Sequence, residues 1–283
     1  MTPVNLVHCS STGLGDNICI MQATTGLRAI SPYPVVYKCH PNALDWVSLF
    51  DCADIITASH FDGVVLHEYF PFNGYKVELA EKGKRTRAEY YCQFAGNAKP
   101  VLPKVKPLPS SPYPGCICLV PRANWRVRQW EHWLTLAGML GDHKVIILTD
   151  KKCEGYSCEV WQGKPAIEVC SLLSEANACC SGDTGIAHIS ASLGTKTIIL
   201  NGGMRGASIY GSYPSAIPIE GKLPCSGCYW VDTAFPDCGQ RCRSLQEITC
   251  EEVIDALTRI ALPVVFANRP KQQVCNLRND GIA

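Results

Sequence analysis

The chain has 283 residues, of which 47% are hydrophobic and 18% charged, and its 26 Lys and Arg nearly balance 25 Asp and Glu. This composition is typical of a protein with a substantial core and excludes a disordered chain, while the near-zero net charge argues against binding to DNA or anionic membranes by charge alone. Because the sequence has neither a signal-peptide pattern nor an apolar run of the roughly 18 residues that cross a membrane, we expect a cytoplasmic protein without a membrane span.

Strands and helices alternate along the first 98 residues. Short apolar runs are separated by amphipathic stretches, such as the one over Ile18, Met21, Leu27 and Ile30. Such alternation predicts right-handed crossovers and a mainly parallel sheet. The predicted strands are Val4–His8, Val35–Cys39, Asp54–Ala58 and Val64–Glu68, and further helices are predicted from Asn42 to Phe50 and over about residues 85–95.

A proline-rich segment divides the chain. Six prolines between Pro100 and Pro114 exclude a helix or a central strand, so residues 99–115 are predicted to be a linker. The alternation restarts beyond it, with a capping box at Thr249 and Glu252 before the last helix. The predicted elements are strands at Cys116–Val120, Val145–Thr149, near Ala178 and at Thr197–Leu200, with helices over about 130–140 and 167–176, one ending at Leu193 and one ending at Ile260. We predict two Rossmann-like domains, 1–98 and 116–265, with a tail at 266–283.

Two glycine-containing loops follow predicted strands. The segment from Ser181 to His188 joins a strand to a helix, and the first amides of that helix would form an anion site suited to a phosphate. The alternative is that Asp183 only caps the helix and His188 only packs. The loop from Ser10 to Asp16 occupies the same position in the other half. Its Asp16 could accept a proton from a hydroxyl, or could merely cap the helix.

A third segment, from Pro121 to Trp130, contains three arginines at the end of a strand. Guanidinium groups match the geometry of phosphate oxygens, so we expect one of the three to bind phosphate; the alternative is a solvated basic loop.

Together the three segments resemble glycosyltransferase family 9, the family of the lipopolysaccharide heptosyltransferases, over about residues 4–260. Gly15-Asp16 is similar to the family's amino-terminal Gly-Asp loop, and Asp183, Thr184, Gly185 and His188 match its Asp-Thr-Gly-x-x-His signature. The segment from Pro121 to Trp130 is similar to Pro-Gly-Ala-Ser-Trp-x-x-Lys-x-Trp, with Arg128 in place of Lys. The resemblance implies a GT-B fold, in which two Rossmann-like domains place parallel sheets on either side of a central cleft.

The resemblance also implies a reaction, the inverting transfer of a heptose or hexose from a nucleotide-diphosphate sugar to an acceptor hydroxyl, in a bacterium or a phage-infected cell. Asp16 would be the base. No Asp-x-Asp motif is evident, so we expect protein groups rather than Mg²⁺ to neutralise the diphosphate. The alternatives are a phage-type DNA-base glycosyltransferase, a GT-B sugar-nucleotide epimerase and a non-catalytic nucleotide-binding relative. The donor-binding residues implied are Gly13, Gly15, Ala123, Asn124, Arg128, Asp183, Thr184, Gly185 and His188.

Cysteine is frequent, with 18 residues. Most lie in apolar stretches (Cys19, Cys52, Cys116, Cys118 and Cys170), where a reduced Cys acts as a small hydrophobe. A cluster in the loop over 225–250 differs, because Cys225, Cys228, Cys238 and Cys242 have spacings that could converge on a structural Zn or Fe ion. Some members of the resembling family carry a cysteine-bound iron here; the alternative is reduced or disulfide-linked cysteines.

A basic run, Glu81 to Arg87, lies in the predicted acceptor half. It is either a solvated face or a surface that meets an anionic acceptor, which could be a saccharide or modified DNA; a protein acceptor is also open.

Overall fold

A computed structural model describes residues 2–123, 125–230 and 241–260. The amino-terminal half contains a four-stranded sheet, ordered β4-β2-β1-β5, in which every neighbouring pair is parallel. The elements are β1 (Val4–His8), α1 (Leu14–Ile30), β2 (Val35–Lys38), α2 (Leu44–Val47), β3 (Phe50–Asp51), β4 (Ile55–Thr57), β5 (Val65–Tyr69), α3 (Gly74–Ala80) and α4 (Arg87–Gln93).

The proline-rich segment is not wholly irregular, because β6 (Lys104–Val105) pairs antiparallel with β3. The carboxyl-terminal half forms a six-stranded sheet, ordered β12-β11-β10-β7-β8-β9, with parallel pairing throughout. Its elements are β7 (Ile117–Val120), α5 (Trp133–Met139), β8 (Val145–Thr149), β9 (Glu159–Gln162), α6 (Ala166–Ser174), β10 (Ala178–Gly182), α7 (Gly185–Ser192), β11 (Thr197–Asn201), α8 (Gly206–Tyr210), β12 (Ala216–Glu220), α9 (Arg243–Gln246) and α10 (Cys250–Ile260).

The prediction of two parallel sheets is therefore confirmed. Several short elements were not predicted, namely α3, α8, α9, the edge strands β9 and β12, and the strand pair β3 and β6. The helix predicted from Asn42 to Phe50 was too long, because α2 ends at Val47 and Phe50 lies in β3. The last predicted capping box is present, because the Thr249 amide donates to Glu252 Oε2 at 2.9 Å and the Glu252 amide donates to Thr249 Oγ1 at 3.2 Å. The domain boundaries at 98 and 115 stay a prediction, and the tail at 266–283 lies outside the described residues.

A continuous apolar core links the two halves. One buried cluster runs from Val7 and Ile18 in the first half to Cys118, Ile146 and Leu173 in the second. The scattered cysteines lie within this core as expected: the five named from the sequence are buried and form no disulfides. Among the described residues, no helix has both the length and the apolar character that a membrane crossing requires.

Candidate active site

The amino-terminal ends of α1 and α7 touch each other, and glycine makes this contact possible. A Cβ atom on Gly15 would lie 2.9 Å from His188 Cδ2, and a Cβ on Gly185 would lie 2.7 Å from Leu14 Cβ. Any larger residue at either position would push the helices apart. Both helices follow the carboxyl end of a parallel strand, where α/β proteins bind their ligands. The fold therefore brings the two glycine-containing loops of the sequence to one place.

Asp16 lies in the first turn of α1 with a fixed carboxylate. Ser11 Oγ donates to Asp16 Oδ2 at 2.7 Å, and the Tyr91 hydroxyl donates to Asp16 Oδ1 at 3.0 Å. The N-cap of α1 is Gly13, so Asp16 does not cap the helix. Its side chain is 23% exposed. Asp16 is therefore both held in place and accessible, as a general base must be.

A buried ion pair between Arg87 and Glu78 lies next to Asp16. Arg87 Nε lies 3.1 and 3.0 Å from the two carboxylate oxygens of Glu78, and Arg87 Nη1 lies 3.6 Å from Asp16 Oδ1. Glu78 is fully buried. Burial raises the pKa of Glu78, although the neighbouring Arg87 opposes that rise. Sequence reasoning missed Glu78 and Tyr91, and it placed Arg87 only within a basic run.

Asp183 ends the loop after β10 but does not cap α7. The cap is Thr184, whose side chain accepts from the Ala187 amide. The Tyr210 hydroxyl donates to Asp183 Oδ1 at 2.7 Å, and Arg128 Nη1 lies 3.2 Å from Oδ2. Burial is the largest single influence on Asp183 and would raise its pKa. Arg128, His188, the Tyr210 hydrogen bond and Arg87 together outweigh burial, so the pKa is lowered. The local alternative, a simple helix cap, is therefore wrong for Asp183.

His188 lies in the contact between the halves. Its ring stacks on Tyr210 at 4.4 Å, and its Nδ1 lies 3.1 Å from the Tyr213 hydroxyl and 3.5 Å from Cys19 Sγ. Burial lowers the pKa of His188 to about 4. The imidazole is therefore neutral near pH 7, and it packs against Gly15 and the aromatic rings.

The arginine-rich segment has one member in the site. Arg128 pairs with Asp183, and its guanidinium lies 4.9 Å from the centre of the Trp125 ring. Arg122 is exposed. The Ala123 carbonyl accepts from Gln129 Nε2 at 2.9 Å, while Asn124 lies outside the described residues.

A cavity of about 600 Å³ opens beside this segment, between the loops that follow β7 and β8. Trp130, Trp133 and Tyr156 line it with aromatic rings. Arg122 adds positive charge, while Lys152 and Arg241 are paired with Glu154 and Glu131, which also line the cavity. The position at the carboxyl ends of parallel strands and the aromatic rings suit the base of a nucleotide.

The cysteine-rich loop packs near the same sheet. The Cys228 amide donates to the Cys225 carbonyl at 3.0 Å, and the Gly227 amide donates to the Gly202 carbonyl at 3.0 Å. A Cβ on Gly202 would lie 2.5 Å from Cys242 Sγ. Two of the cysteine segments thus flank Gly202, while Cys238 lies outside the described residues. Within those described, no three potential ligand side chains are close enough to share a metal ion.

Comparisons with known proteins agree with this architecture. A family model described as glycosyltransferase family 9 (heptosyltransferase) matches residues 166–228, which include Asp183 and His188. The resemblance predicted from the sequence is confirmed. No curated protein sequence matches the chain.

Solved structures of low sequence identity share the fold. The iron-containing dodecameric glycosyltransferase TibC from enterotoxigenic E. coli matches with a TM-score of 0.74 at 15% identity, over 91% of this chain and 76% of that one. The E. coli ADP-heptose lipopolysaccharide heptosyltransferase II matches with a TM-score of 0.66 at 13% identity, over 92% and 99%. A family 9 glycosyltransferase from Veillonella parvula matches with 0.67 at 14%, over 92% and 97%. The predicted GT-B fold is confirmed.

Proposed function

We propose that this chain, a glycosyltransferase of the family 9 type, transfers a heptose or hexose from a nucleotide-diphosphate sugar to an acceptor hydroxyl with inversion. The observation that carries the proposal is the contact between α1 and α7. The first turn of α1, which carries Asp16, meets the amino terminus of α7, and Asp183, which pairs with Arg128, directly precedes that terminus.

In the proposed reaction, Asp16 removes the proton of the acceptor hydroxyl as its oxygen attacks the anomeric carbon of the sugar. The bond from that carbon to the diphosphate breaks, and the electron pair leaves with the diphosphate. Arg128 and the first amides of α7 would stabilise the added negative charge. Asp183, whose pKa is lowered by Arg128 and its other neighbours despite burial, would accept hydrogen bonds from sugar hydroxyls.

The nucleoside would occupy the 600 Å³ cavity beside the arginine-rich segment. Gln129 and Trp130 line this cavity, and Arg128 precedes them directly in the chain. A diphosphate at Arg128 would therefore lie at the rim of the cavity. An aromatic lining favours a planar base, and the positive charge of Arg122 and Arg128 favours the attached phosphates.

The donor is tested by melting temperatures measured with ADP-D-β-D-heptose, ADP and a set of UDP-, GDP- and CDP-sugars. The heptose donor is included because TibC has been solved in complex with it. A ligand that binds only the folded state raises the melting temperature by mass action. We expect one nucleotide family to stabilise the wild type and the control Arg28→Met, but not Arg128→Met. No shift with any donor would contradict the proposal.

The base is tested with Asp16→Asn. We expect transfer to fall by about 10²–10⁴-fold, which is typical of a lost general base, while the donor-induced melting shift stays near that of the wild type. Release of the nucleotide diphosphate measures the rate. Equal loss of donor binding and transfer would instead make Asp16 a structural residue.

We propose a saccharide or a protein as the acceptor. This choice is supported by the basic run, which has fewer free cations than its sequence suggests: Arg87 points inward to Glu78 and Arg85 lies 3.5 Å from Glu81, although Lys82 and Lys84 are exposed. Retention on duplex DNA at moderate salt would reverse this assignment. Conversion of the donor without any acceptor would instead indicate an epimerase.

We also propose that Cys225, Cys228, Cys238 and Cys242 hold one structural Zn or Fe ion. Packing of two of these segments around Gly202 supports the proposal, and thiolates are suitable ligands for either metal. Metal analysis of purified protein should give about one ion per chain. Cys225→Ser should lower this content and Cys153→Ser should not. Only a trace of metal in the wild type would refute the proposal.

A further inference from the structure

We propose that Arg87 is a positioning residue for Asp16, and that the buried Glu78 sets how strongly Arg87 acts on it. The inference rests on the proposed role of Asp16 as the base. No motif in the sequence assigns a role to either residue, and the basic run that contains Arg87 suggests an external surface instead.

The packing of α3 against α4 holds the pair in position. A Cβ on Gly74 would lie 2.4 Å from the Tyr90 carbonyl oxygen, so only glycine allows the two helices to approach this closely. The approach brings Glu78 of α3 onto Arg87 of α4, with both carboxylate oxygens about equally distant from Nε. The guanidinium also lies 5.6 Å from the centre of the Tyr75 ring. Arg87 is therefore fixed before any substrate binds.

The charge of Arg87 is shared between two carboxylates. Its side chain is 8% exposed, and among the described residues Nη2 has no hydrogen-bond partner. Compensation for this buried cation therefore comes from Glu78 at 3.0 Å and Asp16 at 3.6 Å. A cation beside a general base orients the base but also weakens its affinity for a proton. Because Glu78 lies closer to Arg87 than Asp16 does, it takes the larger share of the Arg87 charge, while Asp16 keeps the contact that orients it.

Other titratable groups near Asp16 do not change charge at the pH values where the enzyme would be assayed. Burial raises the pKa of Cys9 and of Cys19 to about 12, raises that of Tyr91 and Tyr229, and lowers that of His188 to about 4. Asp183 also interacts with the charge of Arg87, but its pKa is lowered, so it stays ionised in this range. Glu78 is the other carboxyl group at Arg87, and Glu78→Gln removes its titration. A change on the acid side of the pH profile in that variant would therefore be attributed to the contact between Arg87 and Asp16.

The first test measures nucleotide-diphosphate release from ADP-D-β-D-heptose as a function of pH. In Glu78→Gln we expect the acid limb of the kcat profile to move down by about one pH unit and the plateau to fall about tenfold, with KM within about twofold of the wild type. Arg87→Lys should retain more activity than Arg87→Met. The matched control is Asp51→Asn, which removes one partner of the exposed Arg28 ion pair and should leave the profile unchanged.

The second test needs no activity. Carboxyl ¹³C NMR of aspartate-labelled protein, with the Asp16 signal assigned by Asp16→Asn, follows that carboxyl directly. The titration midpoint should move down in Glu78→Gln and up in Arg87→Met relative to the wild type. If Glu78→Gln does not fold, Glu78→Gln/Arg87→Gln, which removes both charges together, should give a midpoint above that of the wild type.

The outcomes distinguish a failure of the role assigned to Arg87 from a failure of the proposed transferase function. Unchanged midpoints in all these variants, or an equal effect of Asp51→Asn, would overturn the role of Arg87 even if the protein transfers sugar. Midpoints that move as expected in a protein that releases no nucleotide with any donor would support the coupling and refute the proposed function.

Discussion

The two sheets present their candidate site residues in the same topological position, after a parallel strand and at the start of a helix, but they support them differently. In the amino-terminal half, Asp16 is held by side chains from other elements, including Tyr91 and the buried Arg87. In the carboxyl-terminal half, Asp183 directly follows a fully buried strand and His188 lies on the next helix, and both contact Tyr210.

This difference indicates where each half is sensitive to change. The strands of the six-stranded sheet that carry the donor side are buried on both faces, as is typical of parallel sheets. The edge strand β5 of the smaller sheet is mostly exposed. The site in the smaller half therefore depends more on charge, and the site in the larger half more on packing.

The largest expected loss of stability comes from removing a charge from the buried ion pair of the amino-terminal half. Glu78→Leu leaves Arg87 buried without its main partner and should lower the free energy of unfolding by about 3–5 kcal/mol. Glu78→Leu/Arg87→Leu removes both charges and should be less destabilised than the single variant. Urea unfolding measures both. If the double variant were less stable than the single variant, neutralisation of the buried Arg87 would not be the reason for the effect of Glu78.

The second prediction concerns the neutral histidine of the carboxyl-terminal half. Burial holds the pKa of His188 at about 4, against 6.5 for an unperturbed histidine, with Asp183, Asp16, Arg87 and Arg128 as its charged neighbours. As the pH falls from about 6.5 to 4, the unfolded chain binds a proton that the folded chain does not. Stability is therefore lost in this window, by up to about 3 kcal/mol.

His188→Asn keeps a polar group near Tyr213 and cannot titrate. The difference in unfolding free energy between the wild type and this variant should therefore change between pH 6.5 and 4, as measured by chemical unfolding at each pH. Parallel curves for the two proteins would contradict the assignment of a neutral, buried imidazole.

The third prediction concerns the contact that joins the halves. Gly185→Ala places a Cβ 2.7 Å from Leu14 Cβ, so it should cost about 1–3 kcal/mol of overpacking. Gly138→Ala is the matched control, because Gly138 lies in α5 with nothing within 4 Å of the added methyl group. The control should gain about 0.5–1 kcal/mol from its helix propensity. Similar melting temperatures for the two variants would argue against a tight α1–α7 contact.

The smallest effect is expected at an exposed ion pair of the amino-terminal half. Arg28 Nη1 lies 2.7 Å from Asp51 Oδ1, but the Asp51 side chain is 53% exposed. Asp51→Asn should cost less than about 1 kcal/mol in thermal or urea unfolding, since solvent screens such pairs. A loss as large as that of Glu78→Leu would mean that burial does not distinguish the two pairs.

In the six-stranded sheet the four inner strands were predictable from the sequence and the two edge strands were not, whereas both edge strands of the four-stranded sheet, β4 and β5, were predicted. Val145–Thr149 and Thr197–Asn201 are buried apolar runs, and both were found with nearly the predicted bounds. The edge strand Ala216–Glu220 contains Pro218, which a ladder accepts at an edge but which resembles a loop in sequence. Its pairing with β11 is decided by the neighbouring strand and not by its own pattern.

The sequence by itself determined the class of the fold and the two loops that carry Asp16 and Asp183, because apolar periodicity and glycine placement are local properties of the chain. Only the tertiary structure decided that Gly15 contacts His188 and that Arg128 pairs with Asp183. It also decided that the side chain of Arg87, although part of a basic run, points inward and pairs with Glu78. Each of these contacts joins residues on different elements or different sheets. Their approach depends on helix packing and on the balance of buried charge, which no local sequence pattern records.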